Sequence, residues 1–191
     1  MKRITEALTG YIMRRRHLSE RESAWYRFGI LVALELILFI AICLCIAAAL
    51  HVFAEAAMFL AIFIPTRSYA GGMHMKAYPT CLIMSCILFT GCMILLIQCQ
   101  IPIRYSFMII MTSLAVIEIT GPLVTQDRFV SRARRKFCRR KLRMIVAVLL
   151  LISSITLGIN SLYLTQLIAI ATGVVAAGML AEAVHRMYYK T

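Results

Sequence analysis

The chain alternates long apolar stretches with short polar or basic ones. Apolar runs cover Phe28–Leu50, Thr80–Gln98, Tyr105–Val124, Met144–Ile159 and Leu162–Val184, with a shorter run over Val52–Ile64 that stops at Pro65. A helix rises about 1.5 Å per residue, so about 20 residues cross the roughly 30 Å hydrocarbon core of a bilayer. The long runs reach that length or come near it. By length alone, the short one fits a thin span, a re-entrant segment or a broken helix.

Basic residues choose among these options. Lys2, Arg3, Arg14, Arg15, Arg16, Arg21 and Arg27 precede the first run, a second cluster extends from Arg128 to Arg143, and Arg186 and Lys190 follow the last run. If Val52–Ile64 crosses, all three groups share one face with Arg67 and Lys76, and only Arg104 falls on the other. If it does not cross, the first two clusters face opposite sides, against the tendency of Lys and Arg to stay cytoplasmic. The pattern therefore predicts an all-α polytopic membrane protein of about six transmembrane helices, with both termini and the segment after Pro65 in the cytoplasm.

Residues 1–27 are polar and basic, yet Ile4, Leu8, Tyr11 and Ile12 recur at helical spacing and form one stripe. This predicts an amphipathic N-terminal helix, either lying on the inner leaflet or docking a partner peptide. The organisation expected is a basic segment over 1–27 followed by a single membrane domain over 28–191. The start of the chain lacks the apolar stretch and small-residue cleavage site of a signal peptide.

Composition narrows the function classes. Of 191 residues 62% are hydrophobic and 15% charged, with mean hydropathy +0.85, against about 45–50% apolar and about 25% charged in soluble domains. A soluble nucleotide-binding enzyme, a disordered chain and a disulfide-rich secreted protein are all disfavoured. The 21 Lys and Arg against 8 Asp and Glu give a net charge of +13. In so apolar a chain this bias suits an anionic lipid membrane rather than nucleic acid. The cysteines, Cys43, Cys45, Cys81, Cys86, Cys92, Cys99 and Cys138, are odd in number and mostly sit within apolar runs, as small buried hydrophobes do.

One stretch carries chemistry. Between the short run and the next span, Arg67, Gly71, Gly72, His74, Pro79, Thr80 and Cys81 follow one another, which supplies a thiol nucleophile and a base. Seven residues of helix would hold His74 and Cys81 about 10 Å apart, so the chain must bend between them, and Gly71, Gly72 and Pro79 mark where it can. Proline suits the first turn of a helix, which places Cys81 in the opening turn of the next span. There the helix dipole favours a thiolate, and the amides of Thr80 and Cys81 are candidates to hold an oxyanion. The alternative is a packing thiol, an interfacial imidazole and an ordinary turn. A metal site is not expected, because His74 and Cys81 are two ligands where zinc takes at least three from the protein. No cofactor is called for.

The arrangement Arg67-x-x-x-Gly71-Gly72-x-His74, followed by Cys81 at the start of a span, resembles the signature of the accessory gene regulator B family of bacterial membrane cysteine endopeptidases. Chain length, basic N-terminal segment, number of apolar segments and the basic stretch after Gly121-Pro122 resemble that family too. The sequence departs from it at Met75, where members often have Ala, and between Gly121 and Arg128, which lacks an Asn-Lys-Pro-like stretch.

The resemblance implies that Cys81 attacks a carbonyl of a quorum-sensing pro-peptide with His74 as general base. An acyl thioester would form, which a Cys or Ser of the substrate resolves to a thiolactone or lactone. Gly71, Gly72 and Thr80 would support the loop or the oxyanion, and Arg67 would bind a substrate carboxylate or a lipid phosphate. The basic segment over Arg128–Arg143, expected as a loop, would read an acidic precursor tail or rest on anionic lipid. Glu35 and Glu118, carboxylates within spans, are expected to be functional or paired. Association with a second copy stays open, and the competing class is a noncatalytic transporter or scaffold subunit.

Overall fold

The structure, a computed structural model, describes residues 20–71, 78–122 and 132–188. The striped segment over Ile4–Ile12 lies outside them. Six helices follow in order: α1 Glu20–Ala49, α2 Phe53–Ala70, α3 Tyr78–Gln98, α4 Ile103–Thr120, α5 Arg132–Gly158 and α6 Leu162–Tyr188. There is no strand among the described residues. All but α2 are long and apolar enough to cross a membrane.

α2 is the element that the apolar pattern underestimates. The apolar run ends at Ile64, but the helix continues through Pro65 to Ala70. Proline leaves the carbonyl one turn back without its amide donor. Just past it, the hydroxyls of Thr66 and Ser68 donate to the carbonyls of Ile62 and Ile64, both at 2.6 Å. The helix then runs alongside α6 and does not turn back. Glu55 near its start lies beside Tyr163 near the start of α6, and Arg67 near its end approaches Gly178, four turns along α6.

α6 is the central helix. It packs on α4 most extensively and also on α2, α3 and α5, while α1 packs on α2 and α3. Its residues from Thr165 to Thr172, with Val175, Ala176 and Met179, are buried. Large apolar side chains that would be misplaced in water point outward: Ile37, Ile83, Ile87, Ile119 and Leu151 are all exposed, as they are where hydrocarbon is the solvent. Buried hydroxyls donate to nearby backbone carbonyls, as Thr165 does to Ser161 and Thr172 to Ile168. The buried amide of Gln166 donates to the Cys99 carbonyl at 2.6 Å, tying α6 to the α3–α4 connection.

Two tight turns set the topology. After α1, His51 takes a left-handed conformation (φ 57°), with Val52 N–H donating to Ala47 and His51 N–H to Ala48. After α5, Asn160 (φ 54°) does the same, with Ser161 donating to Thr156 and Asn160 to Leu157. This paired bonding closes a helix and satisfies its last carbonyls, and the next helix starts at once. Both turns lie at the same end of the bundle, so α2 and α6 run in the same direction away from it.

The boundary expected at 27/28 is not a break, since α1 is continuous from Glu20. The basic residues from Arg132 to Arg143, expected in a loop, lie on the first turns of α5. Good helix formers such as Arg and Lys let the helix project beyond its apolar part.

Candidate functional site

The site sits where α2 ends and α3 begins. α2 stops at Gly71, whose N–H donates to the Arg67 carbonyl at 3.0 Å. Gly71 has φ 81° and ψ −165°, a region that residues with a Cβ essentially do not enter. The first glycine of the pair is therefore there for its backbone, and it turns the chain out of the helix. Gly72 and His74 lie outside the described residues, and so does the distance from His74 to Cys81.

α3 begins at Tyr78 with Pro79 as its second residue, as the preference of proline for a first turn predicts. Thr80 is third and exposed; Cys81 is fourth and half-buried. The amide of Thr80 falls among those without an acceptor one turn back, whereas the helical ladder begins at the amide of Cys81. Of the two, Thr80 keeps the better oxyanion candidate. All seven cysteines are free thiols.

Arg67 and Cys81 lie toward the same end of their two helices. The Phe59 and Phe89 rings meet edge-on between α2 and α3, with centroids 5.7 Å apart. The two helices are antiparallel, because the few residues between Ala70 and Tyr78 cannot retrace a span. From the ring contact, Arg67 lies eight residues forward on α2 and Cys81 eight residues back on α3, each about 12 Å toward the same end. The Arg67 guanidinium lies over the Phe63 ring at 5.7 Å from its centroid, one turn back on α2. Its Nη1 lies 3.8 Å from the point where a Cβ on Gly178 would sit. Gly178 leaves room for it.

Phe63 and Gly178 are thus parts of the site that sequence reasoning missed. Phe63 was legible as an aromatic four residues before an arginine on one helix face. Gly178 follows Ala176 and Ala177, a small-residue run that marks close approach in membrane helices, but nothing in the sequence names Arg67 as what approaches.

Glu118, expected to be functional or paired, is paired. Arg143 of α5 donates from Nε to its Oε1 at 2.8 Å, with the arginine side chain 61% exposed and the glutamate 36%. Glu182 on α6, not singled out from the sequence, accepts from Arg186 one turn on at 2.7 Å and is only 13% exposed.

No curated protein and no solved structure matches the chain. Residues 5–180 match the family model described as accessory gene regulator B. That match takes in the whole stretch from Arg67 to Cys81 with the helices on either side of it, and the chain belongs to the accessory gene regulator B family.

Proposed function

We propose that the protein is a membrane cysteine endopeptidase that cleaves a quorum-sensing pro-peptide and passes its acyl group on to form a ring. Membership of the family links the chain to quorum-sensing peptide processing. The observation that carries the finer reading is the placement of Cys81: a half-buried thiol in the opening turn of a membrane helix, just after the glycine that ends the helix carrying Arg67. The thiolate and not the thiol is the nucleophile, so the reaction needs a base to take the proton.

In this mechanism His74 takes the thiol proton and the Cys81 sulfur adds to the scissile carbonyl. The oxyanion that forms is held by amides at the start of α3, Thr80 among them. Collapse breaks the C–N bond, and the proton on His74 goes to the leaving amine. The acyl group stays on sulfur as a thioester. A substrate thiol or hydroxyl then attacks that carbonyl, giving a thiolactone or lactone and returning the thiol. No ATP is needed for the exchange, because much of the free energy of the acyl bond is kept in the thioester. Water competes, and a site at the membrane boundary limits it.

Substitution tests the assignment. In vesicles holding equal amounts of each variant, Cys81→Ala and His74→Ala should abolish cleavage of the precursor, while Cys45→Ala and Cys99→Ala, at exposed thiols, should keep it. Cleavage by Cys81→Ala at the unsubstituted rate would end the proposal.

A further inference from the structure

The basic end of α5 is a surface with a shape. Lys136, Arg139, Arg140 and Arg143 are spaced so that they share one face of the helix. With Met144 and Ala147 they line a shallow depression of the surface that is open to its surroundings. The opposite face of α5 is the one packed into the protein, through Leu142, Val146, Leu149 and Ser153. α5 carries no acidic residue, and Arg143 lines the depression while its Nε is engaged by Glu118 of α4.

The depression changes character along the helix. Cations line its outer part, and Met144 and Ala147 line the part where the apolar stretch begins. Beyond them the outward face continues as Val148, Leu151 and Ile155, all exposed. Positive charge over an apolar, lipid-facing floor matches the two halves of a phospholipid, a phosphate above and acyl chains below. An acidic peptide would use the cations and leave the floor uncovered. Arginines grip a phosphate bidentately, and the lysine adds a point charge.

We propose that Lys136, Arg139, Arg140 and Arg143 bind the phosphate headgroup of an anionic phospholipid where α5 enters the bilayer, with Met144 and Ala147 against its acyl chains. The bound lipid fixes the depth of α5. The Arg143–Glu118 pair places the site beside the end of α4. The site is independent of the chemistry at Cys81.

The test is titration of the full-length protein, in micelles of neutral detergent, with phosphatidylglycerol carrying a fluorescent chain. Each Lys or Arg near an anionic surface contributes roughly a fivefold factor. The triple variant Lys136→Gln/Arg139→Gln/Arg140→Gln should therefore bind about a hundredfold more weakly, no better than the unsubstituted protein binds phosphatidylcholine. Lys136→Arg/Arg139→Lys/Arg140→Lys should bind within a few-fold of the unsubstituted protein, and so should Arg104→Gln, which lies away from the site at the start of α4. Ala147→Trp, which fills the floor without touching a charge, should weaken binding at least tenfold and serves if the triple variant does not fold. Undiminished binding by the triple variant would overturn the proposal. So would displacement of the lipid by equimolar inorganic phosphate or hexaglutamate, which would make this a phosphate site or an acidic-peptide site.

Discussion

The guanidinium of Arg67 rests against the bare backbone of Gly178, with Nη1 3.8 Å from the place of a Cβ. That spacing is ordinary van der Waals contact, so Gly178→Ala is expected to leave precursor cleavage nearly unchanged. Gly178→Leu puts further atoms where the guanidinium lies and should lower cleavage at least tenfold. Side-by-side cleavage assays in vesicles, with the amount of inserted protein matched, check both. Full activity in Gly178→Leu would show that the seat of Arg67 does not matter.

Gly121 has less room. A Cβ there would meet the Ile117 carbonyl oxygen and Leu142 Cδ2, each at 2.6 Å, at the junction of α4 with α5. Overpacking of this kind costs about 1–3 kcal/mol, so Gly121→Ala should unfold at lower temperature in detergent. Gly173→Ala is the control, since its Cβ would find Ile109 and Ser113 only at 3.7 and 3.8 Å. Equal melting of the two variants would contradict the packing.

The carboxylate of Glu118 is paired with Arg143. A pair this exposed contributes about 1 kcal/mol at most. Glu118→Gln should therefore keep cleavage within about threefold of the unsubstituted rate. Loss of activity beyond a hundredfold, with the protein still inserted, would return Glu118 to the chemistry.

Five helices are long and apolar enough to cross a membrane; with α2 as the sixth crossing that the basic clusters predict, the two ends of the bundle would face opposite sides. Single cysteines introduced at Gln100 and Asn160 should react with an impermeant thiol reagent from outside intact cells, and those at Thr80 and Arg135 only after the inner face is opened. Labelling at Thr80 and Asn160 from the same side would contradict this topology.

Much of this was legible in the sequence, and the rest fails for physical reasons. The spans, the first-turn position of Pro79 and the break at Gly71 follow from hydropathy and backbone chemistry that act locally. The helix through Pro65 was not legible, because neighbours on α5 and α6 hold α2 in place and a periodicity cannot see them. For the same reason Arg132–Arg143 read as a loop: charge marks where a chain leaves the bilayer, not where its helix ends. The partners of Arg67 and Glu118 lie over a hundred residues and 25 residues away, on other helices, and only the packed structure brings them together. Cys81 and Arg67 were both singled out from the motif.

The central claim is that the Cys81 sulfur carries the acyl group. Its most direct test is the intact mass of the protein after incubation with a precursor whose ring-closing residue is replaced by alanine. A well-placed internal nucleophile can act at an effective concentration of about 10⁵ M or more, so removing it should stall turnover at the thioester. The account predicts an added mass equal to the N-terminal part of the precursor, released by hydroxylamine and absent from Cys81→Ala. Cleavage of that precursor to a linear acid as fast as the natural one is cyclised, with no adduct at any time, would contradict it.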